Sequence, residues 1–403
     1  MTLRHSLAGL IPRSIAMRIK YAGQTFYRLR TGNKKINTNY KYKCLSKPGT
    51  HVFFGYYDIS PFNLKTDEII YNTLVEAEDK LHLLCTTLSS GEEREFAETR
   101  AWNWQQGCRL RWMPDNNREV IFNDFDGNDY FTRIVNIDTK EDRTVFAPLY
   151  DISHDGRYGL SIDFERLGEK RPGYGYTCRH YVESDHNLAE EGIELVDIVE
   201  GTKRIVLTYR DIQHIEGCNT GNLKNNYINH LSFSPSGRMF LFFWLTADES
   251  WHKAFLLVHD LKTNETKLLE NTENVSHYVW QDDDNIICTA ANEKHQWHYY
   301  NYNIPSGKKT LLNPSVLNID GHPSIYNADT LLTDTYPDLM GFQRLYLANK
   351  VDGGYKEILK VYSDCRAEGE KRTDLHPRLD RNKKIVCVDS NQHRFRTMIF
   401  ISL

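Results

Sequence analysis

Short runs of β-branched and aromatic residues, broken by turn residues, recur along this chain in groups of four. The second run of each group is the clearest: 68–74 (EIIYNTL), 119–125 (EVIFNDF), 157–163 (RYGLSID), 238–244 (RMFLFFW), 285–290 (NIICTA), 331–335 (LLTDT) and 384–389 (KIVCVD). All are rich in the residues a pleated surface favours, so each predicts a strand. Ahead of each stands a motif whose fullest form is His230-Leu-Ser-Phe-Ser-Pro-Ser-Gly237: a polar or special residue, an apolar or aromatic one three positions on, then a short turn. The key position falls at Tyr56, Arg109, Leu149, His230, His277, His322 and His376.

A strand-built repeat of roughly 40–50 residues is the signature of a β-propeller. Seven groups predict an all-β fold, a seven-bladed β-propeller. The seventh group lacks a fourth run before Leu403, and residues 40–45 (YKYKCL), just ahead of the first group, are the donor that would complete it. Closure of this kind ties the ends together and leaves no unpaired inner edge. The domain reading is therefore a basic arm over 1–38 and one propeller over 39–403; the structural alternative is an open pair of β-sandwiches. The one long step in the repeat, from Leu149 to His230, holds two excess segments, 164–191 with its RPGYGY core and 213–229. Long loops on one face of a rigid ring usually carry function.

Charge changes the picture at the N-terminus. The first 57 residues contain no Asp or Glu, while Arg13, Arg18, Lys20, Arg28, Arg30, Lys34 and Lys35 alternate there with Ile15, Met17, Ile19, Tyr21 and Phe26. This is the pattern of a basic amphipathic helix lying on an anionic membrane, and equally of a flexible leader or a targeting segment. The whole chain carries a formal charge of −4, which leaves the rest clearly acidic and speaks against nucleic acid as a partner. No apolar run is long enough to span a bilayer and no secretory leader is evident. The eight scattered cysteines include no CxxC pair, so the expected location is the cytoplasm, peripheral to the inner face of the membrane.

Four histidines at equivalent positions, His230, His277, His322 and His376, should converge at one mouth of the central channel. They predict a site for one divalent metal ion, or an acid or base beside an anion; the alternative is that each ring only ties one blade to the next. His51, Tyr56, Gln106, Arg109, Arg166, Arg171 and Arg378 are placed to face the same mouth. Several histidines, tyrosines and arginines with no obvious nucleophile suit an anionic sugar such as a uronate. A glycine-rich phosphate loop is absent.

The segments HVFFGYYDISP, WNWQQGCRLRW, FERLGEKRPGYGY, NHLSFSPSG, DGHPS with TDTYPD, and TDLHPR resemble parts of bacterial β-propeller proteins related to polysaccharide lyases of the oligogalacturonate and ulvan lyase type. The resemblance runs from about His51 to the C-terminus. It implies β-elimination on a uronate-containing poly- or oligosaccharide, with His51, His230, His322 and His376 as metal ligands or acid/base groups. Arg166 and Arg378 would then be carboxylate partners, and Tyr174 or Tyr176 the acid. The closely spaced Gln/His ligand cluster of oligogalacturonate lyases is not evident here. Similar leaderless propellers accompany surface-polysaccharide synthesis, so a glycosyltransferase or accessory protein of capsule or O-antigen synthesis, and a non-catalytic binding scaffold, stand as alternatives.

Overall fold

The computed structural model describes residues 13–114, 116–247, 252–272 and 274–403. The strands form seven antiparallel sheets, six of four strands and one of five, in the order of a seven-bladed propeller. Blade 4 shows why the pattern folds this way. Its inner strand Asn226–Phe233 pairs with Met239–Ala247, and His252–Asp260 and Glu265–Glu270 follow outward. Phe240, Leu241, Phe242, Phe243 and Trp244 are all buried, because the sheet is covered on both faces by neighbouring blades. Apolar clusters accordingly form between blades: Leu241, Leu256 and Cys288 lie in one, and Phe240, Phe242, Trp244, Leu160 and Ile193 in the next. Each large side chain so buried contributes roughly 1.5–3 kcal/mol.

Closure follows the expected route. Tyr42–Leu45 pairs with Thr397–Ser402 and supplies the outer strand of blade 7, with Cys44 opposite Ile399. One element was not legible in advance: Ile36–Asn37, inside the stretch read as an arm, pairs with Tyr355–Tyr362 and gives blade 6 its fifth strand. The arm itself carries a helix, Arg13–Thr31. Residues 1–12 of that arm lie outside the described residues. All eight cysteines are free thiols, and no described helix is long and apolar enough to cross a membrane.

Within each blade the inner strand starts at the mouth carrying the key positions, and the second strand returns to it. In blade 6 Asp334, the last residue of Thr330–Asp334, therefore bonds His322, which precedes the inner strand Ser324–Ile325. The loops from second to third strands and the links between blades lie on this same face. The long insert over 164–191 belongs to it and begins with the helix Phe164–Lys170, whose N-cap Asp163 accepts from the backbone N–H of Glu165 and Arg166.

Candidate functional site

Irregular backbone turns the key side chains inward. Pairing slips between Asn229 and Ser232 and between Val275 and Tyr278, so His230 and His277 each sit in a bulge, a device that re-aims a side chain out of the strand's alternation. Arg109, His230 and His376 hold φ of 58°, 53° and 47°, a left-handed backbone that costs non-glycine residues about 1–3 kcal/mol and gathers at functional sites. Gly55 at φ 136° lets the GYYD loop pass Gln106, whose carbonyl oxygen lies 2.9 Å from where a Cβ would stand. That loop delivers Tyr56 to the middle of the mouth.

Around the buried Tyr56 ring stand His376, His230, His322 and His277, at centroid distances of 4.6, 4.8, 5.9 and 6.4 Å. The His277 and His322 rings are 4.1 Å apart, and those of His322 and His376 4.5 Å. Three of these imidazoles are oriented through Nδ1. His277 Nδ1 lies 3.1 Å from Asp320, His322 Nδ1 lies 2.9 Å from Asp334, and His376 Nδ1 donates to the Gly55 carbonyl at 2.8 Å. Nε2 of His376 is buried without a partner. Metal-binding histidines are typically held in this way, by a carboxylate or carbonyl on the nitrogen that does not bind the ion.

His322, His376 and Asp374 each offer a ligand atom, all within 4.8 Å of one another, so this set fits a divalent cation. His277 and His230 of the expected ligand set fall outside that trio. Asp374 and Arg372 were missed in the sequence, although Asp374 stands two residues before His376 in TDLHPR, where alternation puts both on one side. Arg372 donates from Nε to Asp374 at 3.0 Å and from Nη2 to the Tyr174 hydroxyl at 2.8 Å. Tyr174 meets His230 edge-on at 5.8 Å, and Arg171 lies over the Tyr174 ring at 5.3 Å. Asp320 and Asp334 hold the rings of His277 and His322.

Electrostatics sort these groups. Burial, reinforced by His277 and Arg171, drives His230 well below its ordinary pKa, and burial with the nearby His322 and Arg378 does the same to His376. Burial also lowers His277. On His322 burial opposes the charged form, but the bonded Asp334 carboxylate prevails and raises it. Burial raises Tyr56, Tyr57 and Tyr336 far above the phenol range, so these hydroxyls keep their protons.

The other expected site residues are spent elsewhere. Arg378 is buried against Asp389 at 3.0 Å and also donates to the carbonyls of Tyr56 and Gly55, locking blade 7 to blade 1. Arg166 gives its guanidinium to the carbonyls of Leu223, Lys224 and Asn226 and to the Tyr181 hydroxyl, joining the two excess segments. Arg109 pairs with Asp58 at 2.7 Å and donates to the Tyr150 carbonyl. In all three the guanidinium is already surrounded by acceptors, leaving little of it for a substrate carboxylate. The Tyr176 hydroxyl accepts from Asn123 at 2.7 Å, and its ring stacks on Phe164 rather than facing the channel. His51 lies away from the histidine ring, against Trp104 and Phe395. Gln106 reaches the mouth through the Tyr150 hydroxyl and the Asn229 side-chain oxygen, both of which accept from the His230 backbone N–H, at 3.1 and 2.9 Å.

The fold is a seven-bladed β-propeller, and solved propellers superpose on most of it. A solved oligogalacturonate lyase in complex with manganese superposes with a TM-score of 0.67 at 12% identity, over 91% of this chain and 94% of its own. The oligogalacturonate lyase of Vibrio parahaemolyticus gives 0.64 at 11%, over 91% and 97%. The β-propeller domain of Cps50 (Swd1) from Myceliophteria thermophila gives 0.51 at 10%, over 90% and 99%. No protein-family model and no curated protein sequence matches the chain. At such identities the likeness establishes the fold and leaves function to the site.

Proposed function

We propose that the histidine mouth binds a uronate-containing oligo- or polysaccharide and cleaves it by β-elimination, with His322, Asp374 and His376 holding one divalent cation. The observation that carries this reading is the buried, partnerless Nε2 of His376, set beside His322 and Asp374 with both imidazoles already tied through Nδ1. The manganese in one structural neighbour supports it. Bound there, such an ion supplies positive charge to the uronate carboxylate and so acidifies the carbon acid next to it. Arg372 and Arg171, both close to the Tyr174 ring, add fixed cationic field to the same region, where low dielectric strengthens it.

His230 is the base. Kept neutral by burial, with Nδ1 and Nε2 each 3.5 Å from a tyrosine hydroxyl, it has a lone pair for the proton α to the carboxylate. Tyr174 is the acid: its oxygen accepts from Arg372, which leaves its own O–H free to donate. The C–H bond α to the carboxylate breaks and its proton goes to His230. The electron pair forms the new C=C bond as the bond to the glycosidic oxygen breaks, and that oxygen takes the Tyr174 proton. The test is incubation with oligogalacturonate and other uronate oligosaccharides in the presence of manganese, with a chelated control. The expected result is the ultraviolet absorbance of an unsaturated uronate, abolished by chelation. Absence of unsaturated product across all the uronates would overturn the reading.

A further inference from the structure

The N-terminal helix Arg13–Thr31 plays no part in that chemistry, yet it is fixed to the histidine face. Gln24 donates to the Leu339 carbonyl at 3.1 Å and accepts from the Tyr362 hydroxyl at 3.1 Å. Arg366 covers the Tyr21 ring at 4.0 Å and Arg28 covers the Tyr362 ring at 4.9 Å. Leu339 lies in the loop from the second to the third strand of blade 6, Tyr362 ends the fourth, and Arg366 follows in the link to blade 7. All three are on the side of the ring where the histidines converge.

The docked residues Tyr21, Gln24 and Arg28 occupy one side of the helix. On the other side Ile19, Phe26 and Leu29 recur at helical spacing and are 60%, 65% and 75% exposed. Leu339, beside the helix, is 85% exposed. Arg18, Lys20, Arg30 and Lys34 flank the stripe, all exposed. An apolar stripe edged by cations with no acid on the segment suits an anionic lipid surface. It does not suit a second copy, since a twofold contact would set the same cations against one another.

Next to the helix, a pocket of about 370 Å³ is lined by Arg366, Lys371, Arg394, Arg396 and His51, with Asp364 and Glu76 as its acids. Asp364 pairs with Arg366 at 2.5 Å and Glu76 with Arg394, so the surplus positive charge rests on Lys371 and Arg396. Arg396 is buried, donates only to the carbonyls of Trp104, Lys371 and Arg372, and has no partner for Nε. Its backbone N–H donates to His51 Nδ1 at 3.2 Å, which puts the neutral ring's proton on Nε2, a further donor. The pocket suits a phosphate.

We infer that the helix and this pocket form one docking surface for an anionic phospholipid bilayer: the apolar stripe enters the acyl boundary, the pocket takes a headgroup phosphate, and the histidine mouth faces the membrane. Joined to the elimination chemistry, on which this last step rests, the orientation selects anionic saccharide chains held at a bilayer surface.

The test is flotation of the full chain with vesicles of phosphatidylcholine alone and of phosphatidylcholine with phosphatidylglycerol. Binding only to the anionic vesicles is expected, weakened ~10-fold or more both by the pair Phe26→Glu with Leu29→Glu and by Lys371→Glu. The stripe positions are exposed, and circular dichroism checks that each variant is folded. Orientation is read by a fluorophore at Leu339→Cys or, on the opposite face, at Val351→Cys, after Cys44→Ser, Cys178→Ser and Cys365→Ser. Nitroxide lipids should quench the first and spare the second. Equal binding to both vesicle types, variants that bind as the parent does, or stronger quenching at position 351 would each overturn the proposal. The vesicles carry no saccharide, so failure here would leave the elimination reading standing, and failed turnover would leave the docking surface standing.

Discussion

Two sets of buried polar residues in the ring are put to opposite ends. On the side of blades 5 to 7, His277, His322 and His376 are each tied through one nitrogen, and His376 keeps the other unpartnered inside the channel. Arg109, Arg166 and Arg378, which on sequence grounds looked equally suited to a ligand, are surrounded by carbonyls and carboxylates until little donor capacity remains. Whether a buried polar side chain is free for a ligand or spent on the scaffold is decided by how many partners the fold supplies, not by its type.

That contrast is broken most directly by paired substitutions. His376→Ala should cost about 10²–10⁴-fold in turnover with a much smaller loss of stability, as expected where a positioned acid/base or ligand group is removed and the Gly55 carbonyl it bonded still accepts from Arg378; steady-state rates beside a urea melt check both halves. Arg378→Ala should do the reverse, destabilising the fold by about 3–5 kcal/mol, because Asp389 is then left as an uncompensated buried charge. If Arg378→Ala folds normally and only activity is lost, the division between site and scaffold is wrong.

Two tyrosines sharpen the same point at smaller cost. Tyr174→Phe removes the proposed acid and should lower kcat while sparing stability. Tyr176→Phe should cost about 1 kcal/mol, the usual worth of a buried hydrogen bond, with kcat unchanged. A further effect concerns pH. Burial and the adjacent Arg396 hold His51 down at about 4, and burial does the same to His259. The unfolded chain protonates both nearer the ordinary histidine value of about 6.5. Between those values the unfolded state binds more protons, so stability is full above pH ~6.5 and falls as the pH drops toward ~4. Urea midpoints of the parent and of His259→Gln across that range should converge at the acid end.

Much of the fold was legible because its signals are local. Strand periodicity, turn residues and a missing fourth strand are properties of neighbouring residues, and they gave both the blade count and the closing strand. Ile36–Asn37 escaped because two residues carry no period. In the third repeat the key position was read at Leu149, whereas the hydroxyl meeting His230 belongs to Tyr150; a slip of one residue moves every side chain of a strand to its other face. The fates of Arg166 and Arg378 depend on carbonyls far along the chain, brought near only by closure of the ring, and no spacing announces them. Asp374 escaped because the feature that repeats along the chain is the histidine, not its alternate neighbour.

The central claim is that His322, Asp374 and His376 form a single cation site at the channel mouth. Calorimetric titration of metal-free protein with manganese tests it directly, run on the parent and on Asp374→Asn and His376→Ala variants shown to be folded. One ion per chain in the parent, with affinity lost or sharply reduced in both variants, is the predicted result; no uptake by the parent, or uptake indifferent to either substitution, would contradict it.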